Sequence, residues 1–126
     1  MYNGLKEHTE NALRHILAAL FPEHLGDGYG QGSLERGVSE LKSALAYVMS
    51  ADEAENNAKR LAELLSGIRE TLKTDITAAY RGDPAAQSED EVILAYPAFT
   101  AIGAYRIAHE LYLMNVPLVP RIVLLQ

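Results

Sequence analysis

Few residues in this 126-residue chain are of a type that does chemistry. Cys is absent, which excludes disulfides, thiolate metal sites and a cysteine nucleophile. The histidines are His8, His15, His24 and His109. None is the second member of Glu-x-x-His, the ligand pair of di-metal helical bundles. His109-Glu110 opens like the helical zinc-protease motif, but position 113 is Leu, so the second ligand is missing. His8 and His15 stand two helical turns apart and read as helix-surface residues, not as a metal pair. His109 lies in the most apolar segment, where a hydrogen-bonded core histidine is expected. Arg106 and Glu110 have i,i+4 spacing and are expected to pair. No G-x-S-x-G is present, so serine nucleophile chemistry has no support. The carboxylates Asp52/Glu53 and Glu89/Asp90/Glu91 fall at helix starts, where capping and the macrodipole account for them.

Two glycine-containing stretches remain. In Gly26-Asp27-Gly28-Tyr29-Gly30-Gln31-Gly32 the glycines alternate with other residues. A phosphate-binding loop follows a strand, and its Walker form ends in Gly-Lys-Ser/Thr. Neither condition holds, and Asp27 repels phosphate, so the stretch reads as a connector. Gly82-Asp83-Pro84 carries two readings. In one, Gly closes a helix in a left-handed conformation, Asp forms an Asx-turn and Pro fixes the exit. In the other, Asp83 is a loop carboxylate placed to meet a ligand.

The elements that must position these residues are helical. Leu5, Leu13, Ile16, Leu17 and Leu20 share one side of a helix over about 5–20, which Pro22 stops. Ser33 is the expected N-cap of a helix over 34–49, with the stripe Leu34, Val38, Leu41, Leu45 and Val48. Ser50 and Glu53 have capping-box spacing. They open a long helix over 51–80, striped by Ala54, Ala58, Leu61, Leu65, Ile68, Leu72, Ile76 and Ala79. Ser88 and Glu91 repeat the capping-box spacing before a short helix over 89–95. Pro97 suits the first turn of a helix over 97–114. That helix is apolar almost all round, with Phe99, Ile102, Tyr105, Ile107, Leu111 and Leu113, which predicts a place in the middle of a bundle. Asn115 is its expected C-terminal cap, and Val116 to Pro120 reads as extended.

No strand-period alternation appears. The fold class is therefore all-α: a bundle of about five to six helices, one of them long, with no sheet. The chain reads as one domain over 1–126. It divides into a first helix (1–22), a Gly-rich loop (23–33), a helical core (34–115) and an apolar tail (116–126). The tail ends in Ile122-Val123-Leu124-Leu125-Gln126, which is expected to lead into further structure. Hydrophobic residues make up 48% and charged residues 22%, so the chain is not of the disordered class. The net charge of −6 argues against a nucleic-acid partner. No apolar run approaches the roughly 18 residues of a membrane span. Lys6, Glu7, Glu10 and Arg14 interrupt the apolar pattern at the start, unlike a signal peptide. A cytoplasmic location is expected.

A group of spaced motifs carries a resemblance. These are Asp75-Ile76, Ala79-Tyr80, Gly82-Asp83-Pro84-Ala85-Ala86, Glu91-Val92-Ile93, Tyr96-Pro97, Tyr105-Arg106-Ile107-Ala108-His109-Glu110-Leu111-Tyr112 and Val116-Pro117-Leu118-Val119-Pro120-Arg121-Ile122. The stretch over about 74–122 resembles the helical N-terminal domain of bacterial serine acetyltransferases. Residues 1–73 fit more loosely, as the longer helical extension of one branch. Two positions depart from the family: Ala98 stands where Gly is usual, and Val123-Leu124-Leu125 replaces a polar stretch with Ala-His. The family's left-handed β-helix, which carries its catalytic histidines and acetyl-CoA groove, is not in this sequence. The resemblance implies transfer of acetyl from acetyl-CoA to L-serine in cysteine synthesis, with acetyl-CoA as co-substrate of the full-length family. It implies no catalytic residue, metal or bound cofactor in these 126 residues, and no activity of them alone. It implies that Asp83 receives the amino group of L-serine, and that the helical surfaces form a homo-oligomer. The sulfhydrylase partner is not expected, because the family's docking tail is not in this sequence. The alternative is a stand-alone helical interaction module without catalysis.

Overall fold

The structure is a computed structural model that describes residues 2–25, 32–95 and 97–125, with the backbone alone at Pro97 and Ala98. Its order is α1 (Leu5–Leu20), α2 (Pro22–Leu25), α3 (Ser33–Leu45), α4 (Ala51–Gly82), α5 (Glu89–Ala95), α6 (Pro97–Leu113) and α7 (Val119–Leu124). Among the described residues there is no strand. The all-α reading therefore holds, with two short helices, α2 and α7, that periodicity did not indicate. A one-turn helix is too short to show a period.

α4 is the spine. Its 32 residues span about 48 Å at 1.5 Å per residue. Ser50 accepts from the Glu53 N–H at 3.1 Å, and Glu53 accepts from the Ser50 N–H at 3.3 Å, closing the capping box. Ala54, Ala58, Leu61, Leu65, Ile68, Leu72 and Ile76 are buried at i,i+3 and i,i+4 spacing, which gives one continuous apolar stripe. α3, α6 and α5 pack against the spine, and α1 packs chiefly on α3. The α1–α3 contact is close at Gly37, where an added Cβ would stand 2.8 Å from Ile16 Cγ1 and 3.2 Å from the Ile16 nitrogen. Phe21 ends α1 and meets Phe99 of α6 edge-on, with ring centroids 5.4 Å apart.

Several expectations are corrected. α3 starts one residue early: Gly32 is the N-cap, and Ser33 is buried inside the helix. Leu34 is exposed, so the α3 stripe begins further along. The chain over 46–49 forms turns and does not continue α3. Within the expected 23–33 loop, Glu23–Leu25 is helical, and residues 26–31 lie outside the described residues, as does Tyr96. Gly82 is the last helical residue and is not left-handed; Asp83 follows in an extended conformation. α6 is not central, because Tyr105, Tyr112 and Leu113 on it are 50%, 71% and 60% exposed. Its apolar composition covers both the core face and an outer face.

The end of α6 forms as expected. Asn115 takes a left-handed φ of 62°, its N–H donates to the Tyr112 carbonyl, and the Val116 N–H donates to the Leu111 carbonyl. This is a Schellman closure. Residues 116–125 do not run out extended as a tail. Leu118 (φ 65°, ψ −51°) is the centre of a γ-turn in which the Val119 N–H donates to the Pro117 carbonyl at 2.6 Å. α7 then folds back on α6 and α1, burying Val119 and Val123. Pro120 in the first turn of α7 needs no N–H partner.

Two glycines give opposite expectations. An added Cβ at Gly67, exposed on α4, would meet nothing within 4 Å. Gly67→Ala should therefore raise stability by about 0.5–1 kcal/mol through the lost backbone entropy of glycine. Gly37→Ala should lower it by about 1–3 kcal/mol, because the methyl meets backbone as well as side chain. Thermal melts of the two variants check this; equal shifts would contradict the close α1–α3 approach.

Candidate functional site

Asp83 sits where α4 ends and α5 has yet to begin. Its N–H donates to the Tyr80 carbonyl at 3.4 Å, the last bond of the α4 ladder. Its backbone turns to φ −118°, ψ 106°. Asp83 Oδ1 accepts the Ala85 N–H at 2.9 Å, and the Asp83 carbonyl accepts the Ala86 N–H at 3.1 Å. The Asx-turn read from the sequence is present. The half-buried carboxylate is thereby fixed in direction at a rigid corner before Pro84.

α5 carries the chain onward. The Glu91 N–H donates to Ser88 Oγ at 3.1 Å, the first half of the expected capping box. The second half differs: Glu91 accepts from the Gln87 N–H, not from Ser88. Thr77 Oγ1 donates to Glu89 Oε1 at 2.6 Å, tying α5 to α4. His24 Nε2 lies 2.7 Å from Asp90 Oδ1, tying α5 to α2. Glu23 completes this polar knot by accepting from Arg69 Nη2 at 3.2 Å. Arg69 also donates to the Leu20 carbonyl and lies over the Phe21 ring, 4.9 Å from its centre. A cleft of about 330 Å³ opens here, with Lys73, Thr77, Glu89 and Asp90 on its wall.

Two turns before Asp83, Asp75 faces α6. Arg106 donates through Nε to Asp75 Oδ2 and through Nη2 to Asp75 Oδ1, both at 2.9 Å. The bidentate hydrogen bonds to Asp75 hold the guanidinium above its usual pKa, with burial opposing. Arg106 therefore does not pair with Glu110 as the i,i+4 spacing predicted; the fork across the helices wins. The guanidinium also lies over the Tyr105 ring at 5.5 Å. Clefts of about 270 and 590 Å³ flank the fork, the first lined by Gly67, Thr71 and His109, the second by Ala78, Ala101 and Tyr105.

The histidines are dispersed. His8 Nδ1 lies 2.5 Å from Glu40 Oε2, linking α1 to α3. His109 is exposed and stacks on Tyr105, with ring centroids 6.0 Å apart, so it is not the core histidine expected. Among the described residues no three of His, Asp and Glu converge as a metal site would require. The Asp75–Arg106 and His24–Asp90 pairs were not legible in the sequence. Their partners lie 31 and 66 residues apart, and only the packing of α4, α6, α2 and α5 joins them.

Part of the chain is similar to known proteins. A plasmid-encoded serine acetyltransferase of Synechococcus elongatus is 49% identical over 61 residues, which is 48% of this chain and 19% of that protein. About half of the chain is thus similar to a serine acetyltransferase. A second serine acetyltransferase of Synechococcus elongatus is 42% identical over 52 residues, 41% of this chain and 21% of that protein. The serine acetyltransferase of Bacillus subtilis is 56% identical over 41 residues, 32% of this chain and 19% of that protein. The chain thus spans about a fifth of the length of these serine acetyltransferases. No protein-family profile matches it. No helix among the described residues is long and apolar enough to cross a membrane.

Two titrating groups make stability depend on pH. Burial, followed by Arg36 and Arg14, pushes the His15 pKa below 6.5, against the pull of Glu40. A hydrogen bond from its own backbone, followed by the bond from Arg69, pulls the Glu23 carboxyl below 4.5. In both cases the unfolded chain holds more protons than the folded one in acid, so stability rises with pH. The His15 contribution is complete above 6.5 and is lost as pH falls through its folded value; the Glu23 contribution follows at lower pH. The urea midpoint should fall between about pH 7 and 5, and His15→Gln should flatten that interval. A parent midpoint that does not fall there would contradict the lowered pKa of His15.

Proposed function

We propose that this chain serves as the helical part of a serine acetyltransferase and contributes Asp83 to the L-serine site. The reaction moves an acetyl group from acetyl-CoA to the serine hydroxyl, giving O-acetyl-L-serine and CoA. The fixed carboxylate of Asp83 supports the reading best. An ammonium meeting a carboxylate gains a charge-assisted hydrogen bond, and an acceptor already held by its own turn loses little freedom on binding. The general base and the thioester groove come from outside these 126 residues. His8 and His24 are engaged with Glu40 and Asp90, and His109 is stacked on Tyr105. We therefore take the chain alone to be inactive and cytoplasmic, to bind no cofactor itself, and to have neither nucleic acid nor the sulfhydrylase as partner.

The second part of the reading is assembly. Tyr105, Tyr112 and Leu113 of α6, with Leu118, Leu124 and Leu125 beyond it, are large apolar side chains left exposed. Such a concentration favours burial against another surface. It supports homo-oligomer formation, and it also fits the alternative of a helical interaction module without catalysis. Light scattering of the purified chain should show a dimer or a higher even-numbered species. A strict monomer at high concentration would remove the assembly role.

Asp83→Asn separates a substrate contact from a turn. Asn also forms Asx-turns, so the melting temperature should stay unchanged. In the acetyltransferase polypeptide carrying this chain, the serine KM should rise roughly tenfold to hundredfold, for a loss of about 1.5–3 kcal/mol. The acetyl-CoA KM should not move. Normal serine kinetics would leave Asp83 with its structural role only.

A further inference from the structure

We propose that Asp75 and Arg106 are positioning residues for Asp83, acting through the last two turns of α4. The proposal rests on the reading of Asp83 as a serine contact. The buried stripe of α4 ends at Ile76, and beyond it Tyr80, Arg81 and Gly82 are exposed. Nothing lies within 4 Å of a Cβ built on Gly82. The apolar packing of the segment that aims Asp83 is confined to the small, partly buried Ala79 and Ala86. Asp83 stands eight residues past Asp75, about 12 Å along the helix.

Among the described residues, two side-chain ties join this end of α4 to α5 and α6. One is the single bond from Thr77 to Glu89, which is exposed. The other is the fork to Arg106, whose partners are 19% (Asp75) and 34% (Arg106) exposed. One bond fixes a distance. Two parallel bonds between planar groups also fix the rotation of α4 about its own axis. That rotation sets the direction in which the chain leaves the helix at Asp83. Clefts on both sides leave the flanks of the fork open to the surface. If stability alone were needed here, a well-packed apolar pair would supply it, since partly enclosed ion pairs add little net stability. A fork specifies geometry.

The test uses Asp75→Asn and Arg106→Lys, the latter keeping the charge and losing the fork. In the 126-residue chain, amide hydrogen exchange over 79–86 should quicken about tenfold, while amides of α1 and α3 keep their rates, as local opening requires. Exchange that is unchanged over 79–86, or that quickens equally in α1 and α3, would overturn the proposal. In the acetyltransferase polypeptide carrying the chain, Asp75→Asn should raise the serine KM about fivefold by misaiming the contact, with kcat and the acetyl-CoA KM unchanged. In an Asp83→Asn background the same change should add nothing. A serine KM that is unmoved by Asp75→Asn, or that rises equally in both backgrounds, would also overturn it. Should Asp83→Asn alone leave the serine KM normal, the serine reading falls, and with it the fork's part in substrate binding. The exchange result then still decides whether the fork holds the turn.

Discussion

The architecture depends on keeping one face of a 32-residue helix dry. No single short helix can cover the α4 stripe from Ala54 to Ile76, so the remaining elements divide it among themselves. α3 takes the first part, while α6 and α5 take the later part. The small residues Ala54 and Ala58 lie near the start of the stripe, and the bulkier Leu65, Ile68 and Leu72 lie along its middle. This distribution lets α3 approach closely and gives α6 apolar bulk to pack upon. α1 then covers α3, and α2 completes the bundle against α5.

Polar contacts are placed where that apolar cover runs thin. Arg69 joins α4 to the end of α1 by binding a backbone carbonyl, a carboxylate and an aromatic face at once. His24 and Thr77 pin the short α5, whose buried side chains are Val92 and Ile93. The Asp75–Arg106 fork lies where the α4 stripe is about to end. Packing therefore sets the body of the bundle, and directional bonds set its corners, which is where the candidate site lies.

Much of this was legible in the sequence. The α1 and α4 stripes, the Ser50–Glu53 box, the Asx-turn at Asp83 and the Asn115 cap each follow from residues a few positions apart. Local spacing determines local geometry, so these readings held. What could not be read depends on elements meeting in space. Composition alone made α6 look central, yet its outer face is exposed at Tyr105 and Tyr112. The i,i+4 rule paired Arg106 with Glu110, but a bidentate partner on another helix is the stronger choice. His109 looked buried for the same reason that α6 did. Residues 116–120 read as extended, whereas Pro120 lies in the first turn of a helix. Asp83 itself was visible as a turn residue, and its proposed ligand comes from the family resemblance.

The return of α7 onto α1 bears on the order in which the molecule assembles. Most helix pairs here are neighbours along the chain or nearly so: α1 with α3, α3 with α4, α6 with α7. Such contacts close short loops and form quickly. The α1–α7 contact instead joins the two ends of the chain across about a hundred residues, and its closure entropy is repaid only after the interior is in place. Val119 and Val123 are thus expected to act late in folding, as a fastener and not as a nucleus. Removing α7 would speed unfolding far more than it would slow folding. The N-terminal helix, distant in sequence, would be the element that loses its cover.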